Sequence, residues 1–311
     1  MQPGRNISPP PRAPEGPWKA SIFFSTTCKV LEGAVDKLGI HIRYPFSDLR
    51  QKIKLTLSTP EASKREFISQ GSYELCTFNI MLDTADTEII NRFNIELAAK
   101  TYPVSPAAFP PPIEHEAARH YLQATPLVEA NDPEIIEIGQ NVTALCKKST
   151  DAIMRITRFI TTNVKFDPEP MDNRQSAKEL LRTKIGRCQD INHLFSALCR
   201  AVKIPARMVL GFVNGKNGWA RHAWSDVYDP QFGWFPIDIA TEHPSAGALD
   251  AMHLKLMTGL DSSEPEIQVT YDIPSKKVYP VISMKHTLFI EKSAIKTIFT
   301  IKQDNQQPGN T

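Results

Sequence analysis

Several features that would narrow the function at once are missing from this chain. It has no excess of either charge, with 36 lysines and arginines against 34 aspartates and glutamates. That near-balance leaves no electrostatic footprint for nucleic acid, and basic pairs such as Lys147-Lys148 and Lys276-Lys277 read as solvated surface. No apolar run approaches the ~18 residues of a spanning helix, so neither nucleic acid nor membrane is expected as a partner. The five cysteines, Cys28, Cys76, Cys146, Cys188 and Cys199, are odd in number and widely scattered. A disulfide framework would leave one over, which favours a reducing, cytoplasmic setting. Phosphate-binding glycine loops and serine-centred nucleophile elbows are also absent. The opening stretch MQPGRNISPPPRAPEGPWK holds six of the 25 prolines and no apolar h-region, so it reads as a disordered tail and not as a secretory signal.

What is present is enough chain for a real core. At 311 residues, about two domains are expected on a prior of ~150 residues each. After a proline-rich tail at 1–20, residues 21–104 alternate as strands do, with Ile53, Leu55 and Leu57 on one face and a further strand from Tyr73 to Leu82. This segment reads as a β-rich N-terminal domain with helical interruptions. TYPVSPAAFPPP then places prolines at 103, 106, 110, 111 and 112, which continue neither a helix nor a central strand. A linker and short helix at 105–132 and a core at 133–262 follow from that reading.

Within the core, Asp132, Pro133 and Glu134 are an N-cap, first residue and first-turn acid, opening a helix that carries Ile135, Ile136, Ile138 and Val142. Ser149 is expected to cap a second helix with an Ile153, Ile156, Ile160 stripe, and Ser176 a third that ends at Gly186. A fourth spans roughly 188–202, and strands follow at 207–213, 220–228 and 233–239. A β extension at 263–304, expected to extend the core sheet, precedes a tail at 305–311.

Chemistry concentrates in this core. Cys188, in Gly186-Arg187-Cys188-Gln189-Asp190, sits where a helix begins, and the unpaired N–H groups and dipole of a helix start favour an anion there. A nucleophilic cysteine needs a base, itself oriented by a third group. His193 lies roughly 140° round the helix from Cys188 and is excluded, leaving it a packing or hydrogen-bonding role. His222 begins the strand RHAWSDVY, and GWFPIDIA supplies a hairpin partner. With a five-residue loop at 228–232, Val227 faces Gly233 and His222 comes directly opposite Asp238, within ~5 Å between Cβ atoms. Asp190 reads as a dipole-compensating acid, and Trp224 as a core residue sharing the His222 face.

GRCQDINHLFSALCRAVKIPARMVLGFV and RHAWSDVYDPQFGWFPIDIA together resemble the transglutaminase-like superfamily, relatives of the papain-type cysteine proteases, over about residues 130–245. The resemblance implies an α+β core, a helix-start cysteine packed on an antiparallel sheet that carries His and Asp, with Cys188, His222 and Asp238 as the triad. It implies acyl transfer through a thioester on a protein or peptide amide, by hydrolysis or, as an alternative, by transamidation of glutamine. A catalytically inactive binding scaffold is the non-enzymatic reading, against which stands the survival of all three triad residue types. One departure is Asp238-Ile239-Ala240 in place of the family's usual Asp-Pro-Thr. The Cys188 backbone N–H is one oxyanion donor; the second, with Gln189 nearby, is unassigned.

No cofactor is expected. HEAARH at 115–120 has its histidines five apart where a zincin helix needs four, so no metal is expected either. Cys188 and Cys199 are separated by roughly 16 Å of helical rise and share neither a metal nor a disulfide. The oligomeric state is open at this point.

Overall fold

The computed structural model describes residues 17–33, 35, 37–69, 71–80, 87–167, 174–241, 245–272, 281–290 and 293–301. They divide into two compact units. One comprises Trp18–Leu97, Asn214–Ala220 and the chain from Pro265; the other comprises Ala98–Val213 and Arg221–Glu264. Of the expected N-terminal tail, residues 1–16 lie outside the described residues, while Trp18, Lys19 and Ala20 already belong to a strand. The tail at 305–311 also lies outside them.

The first unit is a β-sandwich. It begins with β1 (Trp18–Glu32), β2 (Lys37–Tyr44), β3 (Gln51–Thr59), β4 (Lys64–Ile68), β5 (Tyr73–Ile80) and β6 (Thr87–Leu97). Alternation drives it: Ile22, Phe24 and Cys28 of β1 and Ile40, Ile42 and Tyr44 of β2 are buried, with period two along each strand. The Phe24 ring stands 5.0 Å from that of Tyr44, and Asn91 Nδ2 donates to the Tyr44 hydroxyl at 2.7 Å. Among the described residues this unit contains no helix, which corrects the expected helical interruptions. A bulge between Leu55 and Leu57 in β3 turns Leu57 outward, to 47% exposure, so the three-residue stripe expected there is broken.

The second unit contains β7 (Lys100–Thr101), α1 (Glu116–Arg119), α2 (Pro133–Thr143), α3 (Ser149–Asn163), β8 (Lys165–Phe166), α4 (Ala177–Thr183), β9 (Ile185–Gly186) and α5 (Cys188–Ala201). The strands β10 (Ala206–Gly215), β11 (Gly218–Asp229), β12 (Gly233–Asp238), β13 (Ser245–Ala246), β14 (Ala248–Leu249) and β15 (His253–Gly259) follow. Asp132 caps α2 by accepting from Glu134 N. Ser149 is the first residue of α3 and not its cap, because its hydroxyl is spent on the Ala108 carbonyl at 2.7 Å. Ser176 opens α4 with a reciprocal capping box to Glu179, and the helix closes at Lys184 in the left-handed region (φ 59°), two residues before Gly186.

Helix α5 is the axis of this unit. Every residue from Asp190 to Arg200 is buried. Leu194, Leu198 and Ile191 pack with Ile153, Ile156 and Ile160 of α3 and Leu180 of α4, and the same cluster takes in Val227 of β11 and Phe235 and Ile237 of β12. The sheet behind it runs β13-β12-β11-β10-β15.

The last strands, β16 (Ile267–Asp272), β17 (Val281–Ile290) and β18 (Ser293–Ile301), do not extend this core sheet as expected. β17 pairs with β1 and β16 with β2, inside the sandwich. The reason is pattern: Ile282, Met284, Leu288 and Ile290 continue the buried face of β1, and the core sheet already ends on β13 and β15.

Gly211 of β10 allows the core sheet its close approach. A Cβ there would lie 2.2 Å from the Leu254 carbonyl oxygen and 3.0 Å from the Trp224 ring. Gly211→Ala is expected to lower unfolding stability by about 1–3 kcal/mol through overpacking, as a fall in denaturant midpoint at unchanged slope.

Candidate active site

Cys188 is the first residue of α5, and its position is fixed from below. Asp190 Oδ2 accepts from Arg187 N at 2.9 Å, bonding the residue that precedes the helix, while Oδ1 accepts from Gln175 N at 2.9 Å. Asp190 is fully buried, so it is a structural tie between two loops and the helix and more than a dipole-compensating acid. Cys188 itself is half-buried, and as the first helical residue its N–H has no partner within the helix.

The strand carrying His222 is locked to this helix by Asn192. Its Nδ2 donates to the Cys188 carbonyl at 2.8 Å and to the Ala223 carbonyl at 3.0 Å, and its Oδ1 accepts from Ser225 Oγ at 2.7 Å. One side chain therefore uses three of its hydrogen-bonding positions to hold the residue next to His222 against the nucleophile's own peptide. His193, on another face, bonds the Gln175 carbonyl and Ser262 Oγ, at 2.8 and 3.0 Å, in accord with the packing and bonding role expected of it.

His222 Nε2 lies 2.8 Å from Asp238 Oδ2. An ionised carboxylate only accepts, so Nε2 carries the proton and Nδ1 is left for another partner; the Cys188 side chain is among the groups that raise the ring's proton affinity. The hairpin reaches this arrangement by a register two residues away from the expected one. Asp229 pairs with Gly233 and Val227 with Phe235, closing a three-residue loop at 230–232, so continuation of the ladder puts Trp224 opposite Asp238. His222 meets Asp238 on the diagonal. A shift of two preserves the face of every side chain, which is why the pair survives the error.

Where the family pattern has Asp-Pro-Thr, Ala240 N donates to Asp238 Oδ1 at 3.2 Å. That short turn bond holds one carboxylate oxygen and leaves Oδ2 aimed at the imidazole. Asp238 is fully buried, and burial alone would raise its carboxyl; the His222 and His253 rings reverse this and hold it well below the usual carboxylate range. For His222 burial alone would lower the ring, but the Asp238 charge and hydrogen bond, with Cys188 adding to them, raise it to about 10.

His253, at the start of β15, was not singled out in the sequence. Its Nε2 lies 3.2 Å from the same Asp238 Oδ2, and its Nδ1 lies 2.7 Å from Asp250 Oδ1. The spacing Asp250-x-x-His253 was the available signal, but nothing local tied that pair to Asp238. Trp224 fills the space between the two histidines, 1% exposed, stacked on His222 at 6.0 Å and edge-on to His253 at 5.5 Å. Among the described residues, His222, Asp238 and His253 are the one grouping of three metal-ligating side chains. Their contacts read as hydrogen bonds, in which each Nε2 carries a proton and offers no lone pair. His115 and His120 go separate ways: the first stands against Tyr228, and the second against Tyr121 and Gln123.

The structure brings a helix-start thiol, a buried imidazole and a buried carboxylate on an antiparallel sheet into one unit. Residues 136–239, which include all three, match the family model of the transglutaminase-like superfamily, and this span is a transglutaminase-like core. A structure from Cytophaga hutchinsonii, described there as a candidate cysteine protease, shares the fold with a TM-score of 0.60 at 15% identity, over 93% of this chain and 94% of that one. The periplasmic domain of TgpA from Pseudomonas aeruginosa overlaps at a TM-score of 0.37 and 11% identity, over 69% of this chain and 86% of its own, too low a score to carry an argument. No curated protein matches by sequence. No helix among the described residues is long and apolar enough to cross a membrane.

Two outcomes follow from this geometry. Asn192→Ala would take away the acceptor of the buried Ser225 hydroxyl and a donor to the Ala223 carbonyl, and is expected to cost about 2 kcal/mol of unfolding stability by denaturant titration. His222, raised from 6.5 to about 10 in the folded state, contributes stability that is fully present below pH 6.5 and is lost as pH rises through 10. The stability difference between the wild type and His222→Gln should therefore shrink across that window; a difference that grows toward pH 10 would contradict the ion pair.

Proposed function

We propose that the protein is a cysteine hydrolase, a peptidase or amidase, that cleaves a protein or peptide amide through a thioester. The observation that carries this reading is the buried 2.8 Å bond between His222 and Asp238, with Asn192 bridging the carbonyl of Cys188, at the start of a 14-residue helix, to that of Ala223 beside His222.

In the first half-reaction Cys188 Sγ bonds to the carbonyl carbon, and negative charge develops on the oxygen. The Cys188 N–H, unpaired within the helix, is a donor for that oxyanion. The C–N bond breaks as imidazolium Nδ1 gives its proton to the leaving amine. In the second half, water attacks the thioester, Nδ1 accepts its proton, the C–S bond breaks and the thiolate is regenerated. Asp238 orients the ring throughout and stabilises the imidazolium. The scheme uses only this chain's residues, substrate and water. The five cysteines are all free thiols, which supports a reducing compartment and a cytoplasmic location.

Amine in place of water would give transamidation with the same three residues. A glutaminyl peptide offered with a labelled amine separates the two: ammonia or cleaved peptide without incorporated label supports hydrolysis, and incorporated label supports transamidation. Cys188→Ala is expected to lower turnover by at least about a thousandfold. Iodoacetamide at mildly acidic pH should modify Cys188 ahead of Cys76, whose thiol burial pushes up to about 11, and of the fully buried Cys199, raised further by burial. Uniform slow labelling, or activity that survives the Ala substitution, would overturn the assignment.

A further inference from the structure

His253 lies outside the proposed triad, yet its ring is bracketed by two carboxylates. Nδ1 is 2.7 Å from Asp250 Oδ1 and Nε2 is 3.2 Å from Asp238 Oδ2. Ionised carboxylates accept and do not donate. A neutral imidazole has one N–H and would leave one of these contacts as two facing lone pairs; only the imidazolium, with a proton on each nitrogen, satisfies both. The side chain is 10% exposed, so water does not readily take over either contact.

The charged and titratable groups facing it are Asp250 from the turn before β15 and Asp238 from β12, with His222 of β11 behind Asp238 and Cys188 of α5 beyond. The two imidazoles stand 5.9 Å apart between ring centres and share one carboxylate oxygen. Two cations at that distance repel. A positive His253 therefore reduces the charge that Asp238 presents to His222, while its bond to Oδ2 helps fix where that oxygen points.

We propose that His253 is a second, positioning histidine of this site, held as an imidazolium between Asp250 and Asp238, which aims Asp238 at His222 and weakens its grip on the His222 proton. This rests on the Cys188–His222–Asp238 reading and deepens it. A base that must both give and take a proton works best when its affinity lies near the working pH. An undivided buried carboxylate would pull His222 far above that range. The second histidine shares the carboxylate and brings His222 back toward it. Burial alone would favour the neutral ring; the two carboxylates overcome this and raise its proton affinity.

Asp250 offers the cleanest control. Its side chain is 45% exposed, and Oδ1 also accepts from Met252 N at 2.8 Å in a tight turn. Asp250→Asn can keep both of those bonds while removing the charge that keeps His253 doubly protonated.

The test reads ring protonation and reactivity in the full chain. Nitrogen-15 spectra of the imidazole rings should show both His253 nitrogens protonated at neutral pH in the wild type. In Asp250→Asn one of them should lose its proton at a lower pH. The alkaline limb of Cys188 alkylation by iodoacetamide, which reports loss of the His222 proton, should move up by about half a pH unit or more in His253→Gln and in Asp250→Asn, because a positive charge beside Asp238 is gone. His253→Ala should lower turnover of the glutaminyl peptide by roughly 10- to 100-fold with KM little changed, and His253→Gln should restore part of it.

A neutral His253 in the wild type, or an alkaline limb that stays in place in Asp250→Asn, would overturn the proposal even if the His253 variants do not fold. Cys188→Ala separates the two levels of the argument. If it abolishes turnover while Asp250→Asn changes nothing, the triad stands and the role of His253 falls; if activity survives Cys188→Ala, the triad itself is wrong.

Discussion

One carboxylate oxygen, Oδ2 of Asp238, lies within hydrogen-bonding distance of two imidazoles in a fully buried position. Taking a carboxylate out of water costs several kcal/mol unless partners compensate for it. The backbone N–H of Ala240 and the two rings supply those partners, so the charge and its ligands are mutually dependent. Everything that positions the site, from the curl of the core sheet to the packing of Trp224, brings residues from three strands to that oxygen. β15 is three places from β12 in the sheet order, and neighbouring strands are ~4.8 Å apart. The His253 to Asp238 contact therefore requires a curled sheet, and Gly211, without a side chain, leaves room for the approach.

The helix that carries the sulfur is anchored by similar means. α5 is buried on all sides over most of its length, yet its buried face includes Asp190, Asn192, His193 and Arg200. Each has bonds that tie the helix to a separate segment. Arg200 donates to the carbonyls of Ala206, Gln123 and Leu260, and although burial lowers its guanidinium to about 10 it stays charged near neutrality. Such polar ties contribute little net stability and fix geometry instead, since each buried group is costly unless its one correct partner is present. A site that needs sulfur, ring and carboxylate in line gains from this kind of packing more than from additional apolar contacts.

The same arrangement explains the tolerance of the hairpin to its detailed register. His222 and Asp238 face each other diagonally and not directly, and their side chains are long enough to bridge the offset. A one-residue slip would separate them; a two-residue one does not. The bond from Ala240 N then holds the Asp238 carboxylate locally, in a turn that lacks the proline of the family pattern.

Periodicity and end signals found most helices and strands of the core, though they misplaced the cap of α3 and missed the bulge in β3. Asp132-Pro133-Glu134 and Ser176-x-x-Glu179 announce their helices because capping is a bond between near neighbours, and the strands from β10 to β12 follow from β-branched and aromatic runs. The helix-start position of Cys188 and the approach of His222 to Asp238 were legible because a helix start and strand parity are local properties. Membership of sheets was not: nothing within residues 263–304 states that β17 joins β1 and not the core, since partner choice is made by which buried face each strand completes. His253 was hidden for the same reason. Its partner Asp250 is three residues away, but the carboxylate that gives the pair its meaning is brought to it only by the curl of the sheet, a property of the assembled layers and of no single stretch of sequence.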